Sequence, residues 1–238
     1  MGLTIHYKLH SDIRNATEAR RLVEELRKRA LDLPFTEVGE IVELTGDACD
    51  HEKLDRDNPN RWMLIQAGQY VEREGIHYHI EPKHLIAFST DPGDDCEQAN
   101  FGLCLYPAVL NIQDPRTGQP RRLRTGLKGW CWGSFCKTQY ASQHGAEHFV
   151  RCHLSVIRLL DHAAALGILA SVSDEGGFWD KRDVKALVEE VGTWNEQMAG
   201  IVGQLKDMFG GDFQAPITQY PNFEHLEAKG QARKPKKS

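Results

Sequence analysis

"LTIHYKLHSDIRNATEARRLVEELRKRALDLPFTEVGEIVEL", residues 3–44, decides the fold class. Leu3–His10 alternates apolar and polar side chains in a β-rich context, the pattern of a strand with one buried face. Asn15, with Glu18 three residues on, has the form of a capping box. The helix that follows places Ala19, Leu22, Val23, Leu26 and Ala30 on one face, and Pro34 ends it. "TEVGEIVEL", 36–44, reads as a second strand.

Outward from there, residues 46–61 are polar, acidic and punctuated by Asn58-Pro59, an exposed loop. "WMLIQAGQYV" (62–71) and "GIHYHI" (75–80) read as a hairpin, and "HLIAFST" (84–90) as a buried strand. "DPGDDCEQAN" (91–100) is a turn, "FGLCLYPAVLNI" (101–112) a strand, and "QDPRTGQPRRLRTG" (113–126) a basic loop. "LKGWCWGSF" (127–135) is a strand leading to a helix over 142–166, and "GILASVS" (167–173) a short strand before the turn "DEGG". A long helix begins near Asp180 and stops at Gly210-Gly211. The predicted class is α+β, with a ferredoxin-like β-α-β-β-α-β core, a hairpin insertion and a long C-terminal helix. One domain over 1–222 is expected, followed by a basic, disordered tail over 223–238.

The 238 residues suffice for a substantial core, and 40% hydrophobic with 26% charged residues is ordinary globular composition. A formal charge of -5 argues against generic DNA binding or attachment to anionic membranes. No run of about 18 apolar residues occurs, so no membrane span is predicted. "MGLTIHYKLHS" lacks the apolar core of an export signal. The six irregularly spaced Cys are therefore expected to be reduced thiols in a cytoplasmic protein.

Chemistry-bearing residues concentrate in "GLKGWCWGSFCKTQYASQHGAEHFVRCH", 126–153, with three Cys, three His and two Trp. A phosphate loop ending in Lys137-Thr138 is excluded, because Cys131 and Cys136 stand where backbone wrapping of phosphates needs glycine. At helical spacing, His144, His148 and Cys152 fall on one stripe at the border of core and water. Two ligands one turn apart can grip zinc, with Cys131 or Cys136 completing the shell. Against zinc, the spacing follows no established pattern, and Gly145 leaves His144 at an uncertain helix start. His153 faces the core and reads as a satisfied core histidine. Cys136, between strand and helix with Lys137 beside it and His148 within approach, is a candidate nucleophile with a depressed pKa. Trp132, with Trp130, reads as strand packing, or alternatively as a platform for a flat ligand.

Asp174 and Glu175 end an apolar strand, where carboxylates serve as general base or cation ligand, or simply as turn formers. Arg121, Arg122 and Arg124 precede the Trp pair and suit a phosphate, nucleotide or RNA strand. Asp91, Asp94, Asp95 and Glu97 lack the calcium-loop pattern and read as an exposed acidic turn. Val184, Leu187, Val191, Trp194, Met198, Ile201, Leu205 and Met208 form a 3-4 seam that covers a sheet or joins a second copy as a homodimer. Two functional expectations result. The first is a small hydrolase or transferase with Cys136, His148, Asp174 and Glu175 as catalytic candidates and zinc optional. The second is a non-catalytic module binding a partner protein or an anionic ligand through Arg121, Arg122, Arg124, Lys137 and Trp132.

Overall fold

A computed structural model describes residues 3–114, 116, 118–209 and 215–232. The chain forms β1 (Thr4–Ser11), α1 (Ala16–Leu31), β2 (Glu37–Val38), β3 (Val42–Thr45), α2 (Arg61–Ala67), β4 (Gln69–Arg73) and β5 (Ile76–Ile80). These are followed by β6 (His84–Asp91), β7 (Ala99–Leu105), β8 (Val109–Gln113), β9 (Pro120–Arg124) and β10 (Trp130–Lys137). The C-terminal part comprises α3 (Ala146–Ala165), β11 (Leu169–Asp174), α4 (Phe178–Lys181), α5 (Val184–Phe209) and α6 (Phe223–Ala232). Among the described residues no helix is long and apolar enough to cross a membrane.

The class is α+β, built on a seven-stranded sheet in the order β11-β1-β10-β7-β6-β2, with β3 also on β6. Every pairing in it is antiparallel. The expected ferredoxin-like pairing does not form, because β1 runs antiparallel to both its neighbours, β10 and β11. β10 and β11 are thus parallel to each other and joined through α3, with β1 inserted between them.

The alternation in β1 works as expected. Ile5, Tyr7 and Leu9 are buried, while His6 and Lys8 are exposed on the other face. The Tyr7 ring stacks on Phe101 at 4.8 Å, within a core that includes Phe88, Leu26, Trp130 and Trp132. Burying each such side chain contributes about 2 kcal/mol. In α1 the Asn15 side chain accepts from the Glu18 amide at 2.9 Å, and the five predicted stripe residues are all buried.

β10 and β7 pair only at Trp130↔Leu105 and Cys131↔Cys104, and then diverge. Side chains replace the missing ladder. The Tyr7 hydroxyl and the Trp132 indole N–H both donate to the Asn100 carbonyl, at 2.7 and 2.8 Å. Gln66 of α2 enters the gap, and its Oε1 accepts from Asn100 Nδ2 at 2.6 Å and from the Ser134 hydroxyl at 3.1 Å.

Several elements differ from expectation for identifiable reasons. Residues 61–67 are helical rather than extended, because the short apolar run Trp62–Ile65 carries no period to separate helix from strand. The basic loop contains β9, paired with β8; Leu123 is buried while Arg122 and Arg124 point outward. Residues 36–44 form two short strands separated at Gly39, where a Cβ would lie 2.6 Å from Ser89 Oγ. The helix expected to begin near Asp180 is broken at Arg182, whose φ is +53°, and Asp183 caps α5 through the amides of Lys185 and Ala186.

The seam on α5 is used within the chain. Leu187 and Val191 pack with Leu3, Ala141, Phe149 and Cys152, and Met198 packs with Val202, Ile217 and Phe223; Ile201 stays exposed. The side chain of Met208 and the predicted Gly210-Gly211 stop lie outside the described residues. Part of the segment expected to be a disordered tail is α6, packed on α5 through Gly200 and Gly230. Gly200 and Gly203, which weaken a lone coiled coil, are what allow that approach. Residues 233–238 lie outside the described residues.

Candidate functional site

The acidic turn 91–97 folds onto the start of α3, so two features far apart in sequence meet. A short 3-10 turn, Gln139–His144, precedes α3, which places His144 outside the helix. Gln143 Nε2 and the His144 imidazole both bond Asp95 Oδ2, and His148 Nε2 lies 3.1 Å from the Asp94 carbonyl. That carbonyl can only accept, so Nε2 of His148 carries the hydrogen. Nδ1 then accepts from Arg151 Nη2 at 3.3 Å.

Beneath this rim lies the Cys152 sulfur, 3.6 Å from His148 Nε2 and 3.7 Å from Arg151 Nη2. The Cys96 side chain packs against the same cluster that buries Cys152. The neighbouring Cys96 thiol and the Arg151 guanidinium hold the Cys152 thiol below the usual thiol range, against the opposing effect of burial. Cys96 moves the other way, raised by its interaction with Cys152 and by burial. His148 therefore presents a donor to Cys152; it is not a base aimed at that sulfur.

Access to the two sulfurs is unequal. Cys152 is fully buried under the turn, where a Cβ on Gly93 would lie 2.9 Å from Sγ and 2.7 Å from Arg151 Nη2. Gly93 also has φ +139°, so both backbone and space call for glycine there. Cys96 instead lines an open cavity of about 390 Å³ with Asp95, Glu97, Tyr140, Gln143 and Tyr220.

The expected nucleophile, Cys136, is sealed in. Its thiol is fully buried, donates to the Glu97 carbonyl at 3.1 Å and is pushed up by burial. The Lys137 amide bonds the Glu97 carboxylate at 3.2 Å, which fixes the strand end to the same turn. The stripe His144, His148 and Cys152 does come together, with the two imidazoles 5.1 Å apart between centroids. Among the described residues, however, no group of three or more His, Cys, Asp or Glu side chains is set to hold a metal ion.

Asp174 meets α3 at His153 rather than at His148. His153 Nδ1 lies 2.9 Å from Thr138 Oγ1 and its Nε2 3.3 Å from Asp174 Oδ2, with both side chains of the His–Asp pair 0% exposed. Burial raises the Asp174 pKa, but His153 and the amides of Trp179 and Gly176 outweigh it and hold the carboxyl below its usual range. This Thr-His-Asp chain resembles a nucleophile relay in composition, yet no substrate reaches it. It joins the ends of β10 and β11 to α3. Glu175 is likewise structural: its carboxylate accepts from the Thr4 amide at 3.0 Å, where β11 meets β1.

Arg121 pairs with Glu74 at 2.8 Å and with Asp114 at 3.4 Å, which leaves Arg122 and Arg124 as the outward cations of that hairpin. Trp132 is buried and its N–H is engaged by Asn100, so it offers no stacking platform.

Comparison with known proteins gives no match: no family model, no curated protein and no solved structure is significantly similar to this chain. Sequence reasoning passed over Cys96, Gly93 and Arg151. Cys96 sat in a stretch whose acidic residues dominated the reading, and only the β6–β7 connection carries it to α3.

Proposed function

We propose that this protein is a thiol–disulfide redox protein acting through Cys96 and Cys152. The observation that carries this reading is the packing of Cys96, reachable from a cavity, against the cluster that buries Cys152 beside Arg151 and a His148 N–H. In the disulfide form, a substrate thiolate attacks Sγ of Cys96. The S–S bond breaks, and its electron pair stays on Cys152, the sulfur whose thiolate the site stabilises. A second substrate thiol then displaces Cys96, so two thiols become one disulfide and the protein becomes a dithiol. A low-molecular-weight disulfide restores the starting form. A low leaving-group pKa speeds the first step, and a stabilised reduced form makes the pair oxidising.

This reading is narrower than a hydrolase or general transferase. Those chemistries need an accessible thiolate with a base, whereas here the favoured thiolate is covered and the imidazole presents a donor to it. The test is equilibration in glutathione redox buffers followed by alkylation and mass mapping. A Cys96–Cys152 linkage forming reversibly, and lost in Cys96→Ser, is expected. Equal alkylation of both thiols across the whole redox range would sink the proposal.

A further inference from the structure

On the far side of the sheet, β11, β1 and β10 present a second cavity of about 340 Å³ that the thiol site does not use. Two rows cross its floor: Ser173–His6–Phe135 and Ser171–Lys8–Gly133, paired in register. Gln66 and Gln69, from the α2–β4 junction, form its wall. We infer that this cavity binds a nucleoside monophosphate, its ring against Phe135 and its phosphate at Lys8.

Four observations lead there. No lining residue is acidic, and Lys8 has no ion-pair partner among the described residues, so the site's charge favours an anion. Gln66 is 8% exposed and its Nε2 finds no acceptor, a buried donor that a carbonyl or ring nitrogen of a base would satisfy. Phe135 is half-buried, lines the cavity and lies 5.9 Å from the His6 ring, and base–aromatic stacking tolerates any base. Gly133 interrupts the strand where a Cβ would meet Gln69 Nε2 at 3.3 Å, leaving room beside Lys8. The volume lies at the lower end of the range for small-ligand sites, which suits a mononucleotide better than a dinucleotide.

The inference is independent of the thiol pair. Its test is calorimetric titration of the full chain with AMP, GMP, CMP and UMP, with inorganic phosphate and a pentameric RNA as separate arms. Binding of at least one mononucleotide is expected. Lys8→Gln, an exposed change that leaves the core intact, should weaken it about tenfold. Phe135→Ser should weaken the nucleotide while leaving any inorganic phosphate binding unchanged. Silence from every mononucleotide, or affinity unmoved by Lys8→Gln, overturns the assignment. A response to the pentamer alone overturns it in favour of strand recognition.

Discussion

Cys152 shows how one side chain acquires its character from neighbours brought by other elements. Arg151 is adjacent in sequence, His148 lies one helical turn back, and Cys96 arrives from the turn between β6 and β7. Replacing Arg151 with Gln removes the nearby cation, so the Cys152 thiol pKa should rise, as read from thiolate absorbance against pH. The sign for stability follows from the depression. A thiol whose folded pKa lies below its unfolded value contributes stability that is complete above the ordinary thiol range. That contribution is lost as pH falls through the folded pKa. Reduced wild-type protein should therefore lose this increment on acidification from the alkaline side, and Arg151→Gln should show less of it. Cys136 illustrates the converse: strand placement and a neighbouring lysine suggested reactivity, while complete burial makes it an inert small hydrophobe.

Among the elements, α3 is the organiser. One side carries His148, Arg151 and Cys152 to the acidic turn, and another carries His153 to Thr138 and Asp174. Asp174→Ala would leave buried polar groups on His153 and two amides without partners, at a cost of about 3 kcal/mol, measurable by denaturant unfolding. Because the Asp174 pKa is depressed, its contribution is present above the ordinary carboxyl range and lost as pH falls through the folded value. Wild-type acid unfolding should begin later than in a chain lacking this pair's hydrogen bonds. The periodicity of α1, α3 and β1 was legible in the sequence because each has one buried face. Residues 61–67 and β9 were not. The first holds only the short apolar run Trp62–Ile65, too short to show a period, and the second depends on pairing with β8 to make an arginine-rich segment extended.

At the scale of the molecule, the buried apolar side chains of the described residues divide into three clusters, the last formed by α5, α6 and the turn at Pro216–Gln219. That last cluster depends on backbone contact between helices, since a Cβ on Gly230 would overlap the Glu196 carbonyl. Gly230→Ala should release α6, seen as faster hydrogen exchange over 223–232, while β6 and β7 stay protected. The sequence by itself determined the α+β class, the buried stripes and the Asn15 cap. Those properties depend on local period and local hydrogen bonds, which a short window contains. Tertiary structure alone decided the strand order, the fate of Cys136 and the meeting of Cys96 with Cys152. Each of those depends on contacts between residues tens of positions apart, set by which strands pair and where a ladder opens, and no local pattern encodes that choice.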